Sequence, residues 1–470
     1  MSTALFWFRQ DLRCADNPAL ALACKSHTKL IPLYIKESNP ALSMGGAQQW
    51  WLHHSLKSLK NDLSKVNLDL CLRQADPLVL LKELITLHQI EAVYWNRCYE
   101  PTSIARDQKI KTELKALGVQ VISCNGSLLH EPWEVLNQGG TYYKVFTPYW
   151  RQCLRQIQTH PLIQISTWPL NQPAKSESLD DWHLLPTNPD WAKGFSPHWQ
   201  PGSEGALTKL NEFVSNQIQG YKERRNQPAC SGTSRLSPHL HFGEISPQQV
   251  WNGVQQAMQD PGCDSLSAQV YLSELGWREF SYNLLYHFPQ LNDTNFKGQF
   301  DRFPWQDDEA GLKRWQKGLT GYPIVDAGMR ELWHTGYMHN RVRMIVASFL
   351  TKHLMIDWRK GAAWFWDTLL DADLASNSAS WQWVAGSGAD AAPYYRIFNP
   401  TLQGEKFDPD GEYVKRWVPE LAPVAKKWVH QPWQAPKGSL PLTLGVEYPL
   451  PIVDYAMARE VALASYKTLG

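Results

Sequence analysis

The sequence predicts an α/β domain followed by a larger all-α domain, and three observations carry the prediction. At 470 residues the chain exceeds what one hydrophobic core usually organises. Residues 1–130 alternate short apolar runs rich in β-formers with helix-length segments, whereas after Gly205 the apolar period turns helical and stays so. Between them, residues 131–205 dissolve into Pro, Trp, Ser and Asn without sustained periodicity. The expected division is therefore a first domain over 1–130, a connector over 131–205 and a second domain over 206–470.

Taken in order, strands are expected at 4–8, 30–35, 68–72, 92–95 and 119–123, separated by helices at 17–24, 48–63, 77–88 and 104–117. That alternation is the pattern of a doubly wound, five-stranded parallel sheet, Rossmann-like in layout. The turn after the first run, RQDLRCADN, holds no GxGxxG, so the sheet is not a dinucleotide site of the usual kind. The connector reads as chain laid over the surface. In the helical part, residues 344–356 are apolar enough to run through the middle of a domain, with Arg341 and Arg343 at the entrance and Trp358, Trp364 and Trp366 beyond. A last helix is expected near 454–467, and Gly386 with Gly388 makes only a weak phosphate loop.

A formal charge of +1 is silent about partners, but residues 311–360 hold nine Lys or Arg against three acids. A solvated helix face and a polyanion surface both explain that excess. The eight cysteines are scattered, with no CxxC and none after Cys263. This fits reduced thiols in a cytosolic protein, not a zinc site or a C-terminal iron–sulfur cluster. The opening MSTALFWFRQDLR lacks a signal-peptide core, and no apolar run approaches membrane-spanning length. A cytoplasmic protein with no membrane partner and no metal is expected. The 23 tryptophans require a heavily aromatic core or a use for indoles.

Three motifs carry chemistry. GTSRLSPHLHFGEIS (232–246) sets Thr233, Ser234 and Ser237 around Arg235 where a helix should begin, which suits a phosphate or pyrophosphate, although a plain N-cap explains one hydroxyl equally well. His239 and His241 have no third ligand nearby and read as packing residues. In SELGWREF (273–280), Glu274, Trp277 and Arg278 stand at i, i+3 and i+4, on one helix face. An intrahelical Glu–Arg pair beside a core tryptophan would explain them. Near nucleic acid, the same trio offers an acceptor, a stacking plane and a phosphate contact, the parts that hold an extruded base. The third is the stretch 334–383, which gathers Arg341, Arg343, Asp371, Asp373, Asn377, Trp381 and Trp383.

Together FWFRQDLR, TSRLSPHLHFGEIS, ELGWREF, KGLTGYPIVDAGMR, MHNRVRM, DADLASN, WQW and RIFNPTLQGEKFD resemble, in order and over nearly the whole chain, the photolyase and cryptochrome flavoproteins. GGAQQWWLHHSL, SNSASWQW and LSPHLHFGEIS are most similar to the class III cyclobutane pyrimidine dimer photolyases. The resemblance implies FAD in the helical domain and damaged DNA docked over it. It also implies an antenna, 5,10-methenyltetrahydrofolate, on the α/β domain near Gln48, Trp51 and Glu100. The implied FAD contacts are Tyr221, Thr233, Ser234, Arg235, Leu236, Ser237, Asn340, Arg343, Asp371, Asp373 and Asn377, with Glu274, Trp277 and Arg278 counted among them. Asn377 would face the flavin N5, and Arg343 would pair with Asp371 beside the isoalloxazine. The lesion would meet Glu274, Trp277, Asn340, Met344 and Trp383, with DNA phosphates near Arg225, Arg278, Arg341 and Gln403. Trp381, Trp358 and Trp305 match the chain that reduces the flavin by relay, although a tryptophan in a helical core is more often structural.

The activity implied is light-driven repair, in which an electron from reduced, excited flavin splits the dimer and returns while Glu274 steadies the added charge. Repair of (6-4) lesions is disfavoured because Met344 occupies the place of that group's second catalytic histidine, leaving His339. The alternative is a signalling cryptochrome. The presence of Glu274, Trp277 and Trp383, with no tail after the last helix, favours the enzyme. A flavin oxidoreductase would need a nicotinamide motif, and none is present. Ser376, Ser378, Ala379 and Ser380 depart from the Asn and Gly usual before the final Trp pair, which bears on flavin tuning more than on binding. A monomer is expected, nucleoid-associated when on DNA.

Overall fold

The computed structural model describes residues 2–39, 43–157, 160–391 and 395–469. The chain divides into two compact units. One comprises Met1–Tyr143, Thr147–Asn216 and Ser234–Pro289, and the other Lys144–Phe146, Gln217–Thr233 and Gln290–Gly470.

In the first unit, β1 (Thr3–Phe8), α1 (Pro18–Ser26), β2 (Lys29–Glu37), α2 (Gly46–Ser64), β3 (Cys71–Ala75), α3 (Pro77–His88), β4 (Ala92–Asn96), α4 (Pro101–Ala116) and β5 (Gln120–Cys124) alternate as the sequence predicts. The strands pair in parallel in the order β3-β2-β1-β4-β5, so the winding reverses between β1 and β4. Every residue of β1 is buried, as a central parallel strand covered on both faces requires. Asn17 and Asp76 cap α1 and α3 through Leu20 N and Val79 N, each ahead of a proline at the first helical position.

The expected connector is more ordered than its composition suggests. Within it, α5 (Phe146–Gln156) buries Tyr149, Trp150 and Cys153, and β6 (Leu170–Asn171) adds a short parallel strand beside β2. Pro148 looks like a breaker but stands in the first turn of α5, where its missing N–H leaves no helical bond unmade. A strand of two residues has no period to read.

Next come α6 (Ser203–Glu212), α7 (Tyr221–Arg224), α8 (Ser237–His241), α9 (Pro247–Ala257) and α10 (Ser265–His287). The first unit joins its sheet to 234–289 by specific bonds. Trp51 Nε1 donates to Glu244 Oε1 at 2.9 Å, and His239 Nδ1 pairs with the other oxygen of Glu244. Arg13 Nη1 donates to Gly243 O at 3.0 Å, and Ser246 Oγ donates to Asp16.

Helix α10 is tied to the backbone at residues 129–130 through Glu279, whose Oε2 accepts from Leu129 N at 2.9 Å and His130 N at 3.1 Å. Burial pushes this carboxyl up from 4.5 to about 7, against the pull of Arg278 and the two amides. Because the folded value is raised, the native state holds the proton while the unfolded chain releases it. Stability should therefore fall from about pH 4.5 to about pH 7 and level off above. Glu279→Gln is expected to remove this component and to be more stable than the parent above pH 7; an identical pH–stability curve from urea unfolding would refute it.

The second unit holds α7 and continues with α11 (Glu309–Gln316), α12 (Pro323–Thr335), α13 (Asn340–Lys352), α14 (Trp358–Thr368), α15 (Leu374–Ala385), α16 (Pro400–Phe407), α17 (Glu412–Trp417) and α18 (Tyr455–Lys467). Val342, Ile345, Val346, Phe349 and Leu350 of α13 sit in one core with Trp315, Met329, Trp358, Phe365 and Trp381. The apolar run outlasts the helix: His353 is the C-cap, Met355 turns left-handed at φ 51°, and Ile356 bridges to Gln306. Among the described residues no helix is long and apolar enough to cross a membrane.

Candidate functional site

In the second unit the sequence-predicted residues gather around the start of α13 and the turn between α14 and α15. His339 caps α13, accepting from Arg341 N through Nδ1 at 3.2 Å, so the ring proton lies on Nε2. Burial, with Arg341, Arg343 and Arg225 around it, pulls this imidazole down to about 3 and keeps it neutral. Arg343 donates to Met338 O at 2.7 Å and to Asp371 Oδ2 at 2.9 Å, and its guanidinium lies over Tyr337. The Asp371 side chain is 3% exposed and that of Arg343 23%, so this ion pair is largely withdrawn from water. Asp373 caps α15 through Ser376 N, and Asn377 Nδ2 donates to Ala362 O at 3.0 Å, which fixes the amide and leaves its oxygen as the acceptor end.

Arg341 grips Asn226 Oδ1 at 2.7 Å and reaches the Met344 sulfur at 3.6 Å, with Phe407 beneath it. Asn340 is exposed, while Met344, Trp383 and Gln403 are half-buried. Arg225 lies over the buried ring of Tyr221, and Thr233 is half-buried. Trp381 and Trp358 are buried at 2% and 0% exposure, and Trp305 packs, partly buried, against the same core. None of the three rings stacks on another among the described residues. Gly361 gives Trp381 its seat, since a Cβ there would come within 2.2 Å of the indole.

The remaining predicted residues fall in the first unit. Glu274, Trp277 and Arg278 share a face of α10, and the tryptophan there is not a core residue. Trp277 is 36% exposed, and Arg278 donates to Ser127 O at 2.7 Å with its guanidinium over Tyr282. Ser234 Oγ accepts from Tyr271 and from Leu236 N, and Arg235 takes a left-handed φ of 53° with its guanidinium 4.4 Å above Trp199. Leu236 is buried and Ser237 exposed at the start of α8, which runs for only five residues. His239 is a packing residue through Glu244 and Trp51.

Of the antenna candidates, Trp51 is wholly buried among Trp50, Trp199, His239 and Phe242, Gln48 is buried on the same helix, and Glu100 accepts from Gln10 at 2.7 Å. Sequence reasoning missed Glu279, although a glutamate on the apolar stripe of α10, between Leu275 and Tyr282, is a visible signal. It also missed Glu331, which accepts from His339 N and from Tyr413 OH and so braces the start of α13 from α12. No sequence pattern marks that pairing.

A parallel α/β sheet and a helical unit holding an Arg–Asp pair largely withdrawn from water define a class that comparison with known proteins makes specific. Residues 4–167 match the family described as DNA photolyase, and residues 271–468 the FAD binding domain of DNA photolyase. The chain belongs to the DNA photolyase family. It is 51% identical to a deoxyribodipyrimidine photo-lyase of Agrobacterium fabrum over 98% of this chain and 97% of the relative. With cryptochrome-2 of Arabidopsis thaliana it shares 37% identity over 97% of this chain and 77% of that protein. The crystal structure of a bacterial class III photolyase from Agrobacterium tumefaciens superposes with a TM-score of 0.97 at 50% identity, covering 100% of this chain and 98% of that one.

Proposed function

We propose that this chain is a light-dependent DNA repair enzyme that splits cyclobutane pyrimidine dimers with FAD. The observation that carries repair over signalling is the face of α10, where an indole 36% exposed stands one turn beyond Glu274. An indole so placed offers a stacking plane for an extruded pyrimidine pair. The donor set also suits a flavin: a guanidinium held in place by a buried carboxylate, with the fixed acceptor oxygen of Asn377 nearby in sequence. Bound FAD would supply the electron that light delivers to the dimer.

The chain's own residues have separate tasks. Arg343, oriented by Asp371, would offer positive charge to the bound flavin, and Asn377, its amide fixed on Ala362 O, would offer it an acceptor oxygen at N5. Glu274 donates to or steadies the pyrimidine carbonyls, Trp277 and Trp383 pack the lesion, and Asn340 and Met344 border it. Arg225, Arg341 and Gln403 meet phosphates; Arg278 serves them through its remaining donors. Trp305, Trp358 and Trp381 pass electrons inward from the surface. Blue-light repair of a dimer-containing oligonucleotide, with a dark control, tests the reading; bound flavin without light-dependent splitting would favour the photoreceptor alternative.

Trp381→Phe and Trp358→Phe are each expected to abolish rapid photoreduction of oxidised flavin, because phenylalanine does not oxidise as indole does, while repair by chemically reduced enzyme persists. Unchanged photoreduction in both would remove the relay. Functionally, we assign antenna binding to 1–130, a connector to 131–205 and catalysis to 206–470. The antenna would be 5,10-methenyltetrahydrofolate near Gln48, Trp51 and Glu100. A near-ultraviolet folate band beside the flavin bands of purified protein is the expected sign, and flavin bands alone would count against it. Light scattering tests the expected monomer, and fluorescence imaging its cytoplasmic, nucleoid-associated location.

A further inference from the structure

We propose that the second unit carries a site for a phosphate-class oxyanion in a recess at the ends of α13 and α15. The recess has a cavity volume of about 30 Å³ and is lined by Lys297, Ser348, Lys352, Trp383, Tyr395 and Arg396, among others. Lys352, in the last turn of α13, is 4% exposed, donates to the carbonyl of Arg396 and lies 4.5 Å from the centre of the Tyr395 ring. Lys297 Nζ contacts Gly386 O at 3.4 Å. No carboxylate forms an ion pair with either lysine among the described residues; Asp390 is the acid that Lys297 feels, and its side chain accepts from Phe146 N.

An ammonium withdrawn from water without a counter-ion is costly. Burial, reinforced by Arg396, pulls Lys352 down to about 7. Tyr395 supplies an independent sign. It is 7% exposed and its hydroxyl has no hydrogen-bond partner among the described residues, while its ring is fixed against Tyr466 at 4.5 Å with 5° between the planes.

A purely structural role for Lys352, pinning the Arg396 carbonyl, accounts for one of three N–H donors. It leaves Lys297 and the Tyr395 hydroxyl unexplained. Two ammonium groups and a phenol converging on one recess are complemented by a compact anion with several acceptors. Either a DNA backbone phosphate or a free phosphate meets that description. The DNA source rests on the repair reading, since Trp383 lines the recess; the free-phosphate source does not.

The test uses the flavin-loaded protein in the dark, with Lys352→Met, Lys297→Met and Tyr395→Phe. Tm is followed against inorganic phosphate, with chloride at matched ionic strength as control. Affinity for dimer-containing DNA is followed against salt. A free-phosphate site gives a saturable rise in Tm whose midpoint moves by about tenfold or more in the lysine variants. A DNA-phosphate site gives no such rise, but lowers the slope of log affinity against log salt by about one in the same variants. Absence of both effects overturns the site. Failure of repair with the phosphate response intact would remove the repair reading and leave the site standing. Tyr395→Phe keeps the stacked ring, and Lys297 is only half-buried, so these two carry the test if Lys352→Met does not fold.

Discussion

Asp371→Ala is expected to yield protein that is destabilised by about 3 kcal/mol and largely free of flavin. The substitution removes the carboxylate that Arg343 meets at 2.9 Å and leaves a guanidinium only 23% exposed facing the space the carboxylate filled. Breaking such a pair from one side costs more than the pair contributes, because the guanidinium, largely withdrawn from water, keeps Met338 O and Tyr337 but loses its counter-charge. Asp371 and Tyr337 hold the Arg343 charge in place against desolvation, so the variant also loses the orientation of the group that would face the flavin. Urea unfolding and the ratio of flavin to protein absorbance read the two effects separately. Normal flavin content in a folded Asp371→Ala protein would remove the pair from the cofactor site.

Glu274→Ala is expected to lower the yield of dimer splitting by up to about tenfold while affinity for damaged DNA changes little. Glu274 stands on the same face of α10 as Trp277, one turn before it. A donor or carboxyl at that place matters when charge develops on the pyrimidine carbonyls, and hardly at all when the lesion merely docks. Trp277→Ala should show the reverse pattern, weaker lesion binding with the yield per bound complex nearly kept, since the half-exposed ring supplies stacking area. Equal yield in Glu274→Ala and the parent protein would refute the role given to the carboxyl.

The sheet was legible because its inner strands β1, β2 and β4 are largely buried and read as apolar runs, with Asn17–Pro18 and Asp76–Pro77 announcing helix starts; the outer strand β3, with Arg73 and Gln74 in it, falls at 71–75 rather than the expected 68–72. Helix α13 was legible for a similar reason, up to its end: His353 and Met355 stop it by backbone geometry that an apolar composition does not reveal. Side-chain identity at the site came through as motif, but pairing did not. Arg343 and Asp371 are 28 residues apart, and Glu331 reaches Tyr413 across 82. Long-range partners leave no local period. The short helix α5 was obscured by Pro148, and β6 by its two residues.

The bonds from the sheet unit to residues 234–289 bear on how the protein could be taken apart. A fragment ending at residue 130 would keep Trp51 but lose Glu244 and His239, and would strip Arg13 and Asp16 of Gly243 and Ser246. It would also lose the strand beside β2. The first third of the chain is thus no exchangeable cassette, however modular its sequence looks. A chimaera that imports another light-harvesting domain would have to bring its own 234–289 segment with it, so grafting is constrained at the helix that bears Glu274 and Trp277.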